Sequence, residues 1–455
     1  MKERITLYHT NDLHSHFEHW PRIHQFLQTQ KQLHEDRGEE VFLFDIGDHA
    51  DRFHPLTEGS AGKRNVDFLN EAGYDAVTIG NNEGITFSYE ELNSLYHHAN
   101  FPVIVANLFM ESGERPDWAI PYLIKTTKSG IKIGITGVTA EYPAFYRRLG
   151  WNITSAKDEL KAQVRLLKEK VDVILFLSHL GIREDEWVAE ECRDIDVIMG
   201  GHTHHVLENG KRHFNTLLAA AGKYGMYTGK VEIEFDHVSR EITQSSAILY
   251  ETDSLPKAHD EQLQIEAWET EGKQLLSKEI VTLNKEIPHN PLEKESPLSQ
   301  ILGDALLDWC EADFSIVTGG LLLDSLPAGK VTEYDLHQIL PHPINPCVVE
   351  LTGSEVKEVI RQSMNHAWPT TVIRGLGFRG TILGAFVYRG MEEKGHQFYV
   401  NNEEVQSDKI YKVATVDMFT FGYFFPEMHR AKKQYFMPEF LRDILKEKLI
   451  SKEMI

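Results

Sequence analysis

Five short stretches of this chain end in side chains that bind divalent cations: Asn11-Asp12-Leu13-His14, Gly47-Asp48, Gly80-Asn81, Ser178-His179 and Gly200-Gly201-His202-Thr203-His204. Their donors are carboxylate, carboxamide and imidazole, with no thiolate, a set that suits Mn, Zn, Fe or Co and does not choose among them. Taken singly, each motif has an ordinary structural explanation. Asp-X-His and Gly-Asp are frequent in turns and helix caps, and a histidine beside an apolar strand is usually a core-edge residue. Taken together, five such loops in one order can bring seven donors into one cleft. Two cations held there would polarise a phosphoryl group and the water that attacks it.

The elements that must position these loops are legible as apolar runs. Ile5–Tyr8, Val41–Phe44, Ala76–Ile79, Val171–Leu177 and Val197–Met199 each end just before one of the donor stretches. Between several of them lie amphipathic helical patterns, as at Arg22–Gln32 and Ala156–Lys170. Strand then helix, repeated, predicts an α/β domain whose loops meet at the carboxyl edge of the strands. After Gly201 the pattern turns strand-like, and a charged, helix-compatible stretch follows. The expected organisation is a catalytic domain over residues 1–255, a helical linker over 256–281 and a second domain over 282–455.

At 455 residues, with 41% hydrophobic and 25% charged side chains, the chain is long enough for two cores. A formal net charge of −22 excludes a nucleic acid polymer as the bulk partner, because phosphate backbones are held by clustered Lys and Arg. A small phosphorylated substrate stays compatible when bound metal supplies the local positive field. Cys192, Cys310 and Cys347 are odd in number and widely spaced, so they predict neither a disulfide framework nor a thiolate metal site. The start MKERITLYHTND has no long apolar run, so the expectation is a cytoplasmic protein with no membrane partner. The oligomeric state is not legible.

The set HTNDLHSH, DIGDH, GNNE, LSHLG and GGHTHH resembles the calcineurin-like metallophosphoesterases, specifically the 5'-nucleotidase family. The resemblance continues through Glu295-Ser296-Pro297-Leu298, Gly319-Gly320, Leu326-Pro327-Ala328-Gly329 and Val349-Glu350-Leu351-Thr352-Gly353, which look like that family's C-terminal domain. It implies an N-terminal αββα sandwich and a C-terminal α+β substrate-binding domain. It implies two divalent metal ions, with Asp48 as the bridging catalytic carboxylate. Asp12, His14 and His204 would complete one site, and Asn81, His179 and His202 the other, with Asn11 and Asp45 supporting them. A nucleotide or related small phosphate compound would be hydrolysed by in-line attack of activated water. The resemblance also takes in UDP-sugar and cyclic-nucleotide hydrolases, and an impaired nucleotide-binding or sensory protein is the alternative from another class.

The chain departs from the family pattern in three places. Where the family has Gly-Asn-His-Glu, this chain has Asn82, an amide that can donate a hydrogen bond but cannot titrate. Proton donation at that position, typically worth ~10²- to 10⁴-fold in rate, is lost unless His49 or His16 replaces it or the leaving group needs little protonation. Leu323 stands where the family's turn carries a phosphate-binding arginine. In the base clamp, Phe378 matches one aromatic arm, while Met418, with Phe419 beside it, falls at the other, and Phe424 stands near the family's usual aspartate.

Overall fold

Branched and aromatic residues in Lys2–Thr10 favour an extended backbone, and this segment forms an inner strand of a seven-stranded sheet. It runs parallel to Glu40–Asp45, which runs parallel to Ala76–Val77, and Val103–Ile104 and Ala119–Ile120 continue the series. The antiparallel hairpin of Tyr227–Asp236 and Glu241–Glu251 completes the opposite edge. A second sheet has six strands, in the order Lys211–His213, Thr216–Ala219, Val197–Gly200, Val173–His179, Lys132–Thr139 and Tyr122–Thr126. The computed structural model describes residues 2–395 and 397–451.

The two sheets bury their facing side chains against each other. Ile5, Leu7 and Phe44 from the first meet Ile135, Leu175, Leu177 and Val197 from the second in one buried cluster. Full burial of each such side chain contributes about 1.5–3 kcal/mol. Helices Ala156–Leu167 and Ile182–Glu191 cover the far face of the second sheet through Leu160, Val164 and Val188. Trp20–Asp36 and Lys63–Ala72 cover the first sheet. The layers are α, β, β, α, as the resemblance implies. The carboxyl ends of five parallel strands, at Thr10, Asp45, Val77, His179 and Gly200, open directly into the donor-bearing loops.

The chain divides into two compact units, Met1–Gly272 and Lys273–Ile455. The segment read as linker contains helix Glu261–Leu275, most of which belongs to the first unit. Its charged composition suggests a solvated spacer, but one aromatic and two ion pairs anchor it. Trp268 packs on Phe68 at 4.7 Å between ring centroids, Arg22 binds both carboxylate oxygens of Glu261 at 2.8 Å, and Arg64 meets Glu271 at 3.1 Å.

The second unit is α+β. Its five-stranded sheet runs Phe386–Arg389, Phe314–Thr318, Ile410–Val416, Pro346–Thr352, Lys432–Tyr435, with one parallel pair among antiparallel neighbours. Helices Pro297–Cys310, Gly353–Ser363 and Leu441–Ser451 share its core through Leu302, Val356, Ile360 and Leu445. All three cysteines are buried free thiols. Among the described residues, no helix is long and apolar enough to cross a membrane.

Candidate metal centre

Asp12 and His14 leave the strand Lys2–Thr10, Asp48 leaves Glu40–Asp45, Asn81 begins a short helix after Ala76–Val77, and His179 ends Val173–His179. His202 and His204 follow Val197–Gly200. Five of these seven expected ligands, Asp12, His14, Asp48, His202 and His204, have φ between 49° and 71°. Left-handed backbone is unfavourable for any side-chain-bearing residue, and its concentration here turns the side chains sharply inward. Gly80 allows the loops to close. A Cβ there would stand 2.0 Å from an oxygen of Asp48.

The donors converge. One atom each from Asp12, His14 and His204 lie within 4.8 Å of one another, and so do single atoms from Asp12, Asp48 and His179. His14 Nε2 is 3.7 Å from both Asp12 Oδ1 and Asp48 Oδ2, and 3.2 Å from His204 Nε2. His179 Nε2 is 3.4 Å from Asp48 Oδ2 and 3.9 Å from Asp12 Oδ1. Asp12 thus belongs to both groups, and Asp48 reaches both His14 and His179. The His202 ring lies 5.4 Å from that of His179, and its backbone N–H donates to Asp12 at 3.1 Å.

Two buried carboxylates this close require compensating positive charge. Burial opposes a charge on His179, but the adjacent Asp48 carboxylate outweighs it and pushes the imidazole up to about 10. Burial likewise opposes a charge on Asp48, yet His179 and His14 hold its carboxyl well below the ordinary range. His202 moves the other way, down to about 4, through burial and the neighbouring His179. The donor set fits divalent cations on a further observation: Asn81 Oδ1 is buried with no hydrogen-bond partner, and His179 Nε2 has only the Asp48 and Asp12 carboxylates near it. Such atoms are rarely left orphaned, and both belong to residues expected to be ligands.

Neighbouring groups fix the donors. His179 Nδ1 lies 2.7 Å from the Ile46 carbonyl, and His14 Nδ1 lies 3.2 Å from Asp51 Oδ2, so Nε2 of each ring faces the cluster. Glu83 accepts from the backbone N–H groups of Asp48 at 2.9 Å, Gly80 at 2.8 Å and Ala50 at 2.8 Å. Burial and the Asp48 charge push its carboxyl up to about 7. Asn11 Nδ2 binds Asp12 Oδ2 and the Gly222 carbonyl, both at 2.8 Å. Asp45 accepts from Thr10 Oγ1 at 2.6 Å and from Gly47 N–H at 3.0 Å, while burial pushes it up to about 8.

Asn82, the residue expected to act catalytically beside the metals, lies against two of the expected ligands. It is 7% exposed, and its amide nitrogen lies 2.9 Å from His14 Nδ1 and 3.2 Å from the Ala50 carbonyl. Its backbone N–H donates to Asp48 Oδ1 at 2.7 Å. Both contacts make it a support for two expected ligands. His49 is buried against Trp20 and Asn65, and burial drives it down to about 3. His16 is partly exposed and its ring lies 3.9 Å from that of Tyr224, which borders His14.

The expected base clamp is closed. Met418 and Phe419 are 0% exposed, and Phe419 packs edge-on to Phe424 and Phe425 at 5.2 and 5.5 Å. Phe378 is buried with its ring stacked on His342 at 5.1 Å. These three residues are packed into the core of the second unit in this structure. Leu323, at the missing arginine, is exposed. Asp51, Tyr224 and the Ile46 carbonyl escaped sequence reading. Only Asp51 had a signal, the second aspartate of Asp48-His49-Ala50-Asp51.

A model of the calcineurin-like phosphoesterases matches residues 5–206, and one of the 5'-nucleotidase C-terminal domain matches residues 280–423. The chain is 46% identical to the uncharacterized metallophosphoesterase YunD of Bacillus subtilis (strain 168), over 99% of this chain and 100% of that one. The chain belongs to the metallophosphoesterase family. As a metallophosphoesterase it is a hydrolase of phosphoesters, and divalent metal ions go with that family. Its two-domain form is that of the 5'-nucleotidases. It is 24% identical to the 5'-nucleotidase of Bos taurus over 80% of this chain and 72% of that one. Its fold is similar to a putative 5'-nucleotidase from Staphylococcus aureus, with a TM-score of 0.71 and 18% identity over 100% of this chain and 98% of that one. It is also similar in fold to the NAD nucleotidase of Haemophilus influenzae, at 0.67 and 16% over 99% and 96%.

Proposed function

We infer that this metallophosphoesterase holds two divalent cations between Asp12, His14, Asp48, Asn81, His179, His202 and His204, and hydrolyses a small phosphorylated compound of the nucleotide type. The observation carrying this reading is the meeting of two buried carboxylates and three imidazoles from four loops, four of the five residues on left-handed backbone. Bound there, divalent cations would supply Lewis acidity toward a phosphoryl group and lower the pKa of water.

The chain's own residues supply position and charge. Asp12 and Asp48 provide the negative charge that retains cations, and Asp51 and the Ile46 carbonyl present Nε2 of His14 and His179. Glu83 ties the Asp48 and Ala50 backbones to that of Gly80, and the Asn82 N–H binds the Asp48 carboxylate. Asn82 supplies no proton, so substrates whose leaving groups need little protonation, such as phosphoanhydrides, are favoured over simple alkyl esters.

The test is phosphate release by purified protein with Mn from mono-, di- and cyclic nucleotides, UDP-sugars and sugar phosphates, together with metal analysis. The expected result is close to two metals per chain and turnover that Asp48→Asn lowers by at least ~10³-fold. Unaltered turnover in Asp48→Asn, or no hydrolysis of any compound by a metal-loaded protein, overturns the reading.

A further inference from the structure

One strand at the rim of the centre leads to no expected ligand. Lys132–Thr139 runs parallel to Val173–His179 with Thr139 paired to His179, so the chain leaving Thr139 emerges beside that imidazole. It reaches Tyr142 just before the short helix Pro143–Arg148. The Tyr142 ring meets that of His202 edge-on at 6.3 Å, and its hydroxyl lies 3.5 Å from His202 Nε2. The residue is half-buried.

The backbone at Tyr142 is held from both sides. Its carbonyl accepts from the N–H groups of Phe145 and Tyr146, both at 3.0 Å, and Pro143 pre-sets the first helical turn. The preceding Glu141 accepts from the Ala156 N–H at 2.7 Å. Phe145 and Tyr146 are buried, and the Tyr146 hydroxyl fills the space beside Gly84, in the helix that begins with Asn81. The Tyr142 hydroxyl, by contrast, is not committed. Its contact with His202 is at the long limit of a hydrogen bond, and it makes no other among the described residues. A phenol keeps its proton at neutral pH and can turn it toward an acceptor. Burial and the Asp48 charge raise this one further.

Phosphoryl transfer spreads negative charge over the non-bridging oxygens, and a donor fixed before the reaction stabilises that charge most. The Asn82 amide is engaged with His14 and the Ala50 carbonyl. We propose that the Tyr142 hydroxyl donates a hydrogen bond to a non-bridging phosphoryl oxygen of the substrate, a catalytic residue that stabilises the transition state without transferring a proton. The proposal rests on the phosphoesterase reading above. In an in-line displacement the leaving group departs opposite the attacking water, so a donor in contact with an expected ligand stands beside the non-bridging oxygens and away from the leaving one. Its contribution is then the same for good and poor leaving groups.

Tyr142→Phe removes the hydroxyl and keeps the ring. Mn-loaded wild type and variant, each checked for metal content and Tm, are compared on p-nitrophenyl phosphate, whose leaving group needs no proton, and on glycerol phosphate, whose leaving group does. The variant is expected to lose about 10²-fold in kcat on both esters, with KM within about twofold of wild type. Vanadate, which adopts the five-coordinate geometry of phosphoryl transfer, gives a readout without turnover. Calorimetry is expected to find vanadate bound about tenfold more weakly by the variant, and inorganic phosphate within about twofold. Equal kcat and equal vanadate affinity in the two proteins overturn the proposal. So does a loss confined to glycerol phosphate, which would make Tyr142 a proton donor to the leaving group, or a fall in bound Mn that accounts for the loss, which would make it a support for His202. Absence of hydrolysis of either ester by a wild type that still binds vanadate more tightly than the variant overturns the phosphoesterase reading alone.

Discussion

Glu83→Gln isolates the contribution of loop geometry from that of the ligands themselves. Glu83 Oε2 accepts from the N–H groups of Asp48 and Gly80, and Oε1 accepts from Ala50. Glutamine keeps the shape but has one oxygen. If that oxygen serves Asp48 and Gly80, the amide nitrogen faces the Ala50 N–H, donor against donor. The loss is one hydrogen bond to a buried carboxylate and one orphaned buried N–H, together about 2–3 kcal/mol. In a unit of this size, that amounts to a fall in Tm of about 4–10 °C. Because Asp48 and Gly80 are fixed through the same side chain, metal affinity should also drop, by about 10- to 100-fold. Differential scanning calorimetry and Mn titration of the purified variant measure the two effects. A Tm within about 1 °C of wild type with unchanged Mn affinity would show that Glu83 does not hold these loops.

Asn82→Ala removes the amide beside His14 and leaves the buried Ala50 carbonyl without that donor; Mn affinity is expected to fall about tenfold, since Asp51 still holds His14, and full affinity in a Mn titration would refute the supporting role. His9 is fully buried, neither ring nitrogen has a partner, and burial lowers it to about 4. The unfolded chain therefore binds a proton between about pH 6.5 and 4 that the folded chain refuses, and stability falls by about 1.4 kcal/mol per unit as pH drops through that window. His9→Asn should flatten the dependence of Tm on pH between 6.5 and 5, and an unchanged slope would assign the acid sensitivity elsewhere.

The catalytic unit was legible because its signals are local. Each strand is a short apolar run, and each donor follows its strand within a few residues, so Asp12 and Asp48 leave neighbouring parallel strands of one sheet and His179 ends a parallel strand of the other. The orientation of the Asn82 side chain was not legible, for the opposite reason. A motif position says which residue type stands beside a ligand but not which way the side chain turns, and here a bond network through His14 and Ala50 turns it inward. Phe378 and Phe419 show the same limit at longer range: an aromatic that stacks on a base and one that fills a core have the same sequence signature, and only the packing of Phe386, Phe424 and Phe425 around Phe419 distinguishes them. Tyr224 had no signal at all, because the ring reaches the centre from a loop more than two hundred residues beyond Asp12. Helix Glu261–Leu275 looked solvated because one tryptophan and paired charges are enough to dock it.

The left-handed turns at Asp12, His14, Asp48, His202 and His204 carry a consequence for how the protein matures. A nascent chain that has closed its sheets but captured no cation must bring the Asp12 and Asp48 carboxylates together on unfavourable backbone, with only the neighbouring imidazoles to offset them. This rim should therefore be the last part of the first unit to settle. Metal present during folding would favour its closure by binding the folded rim alone.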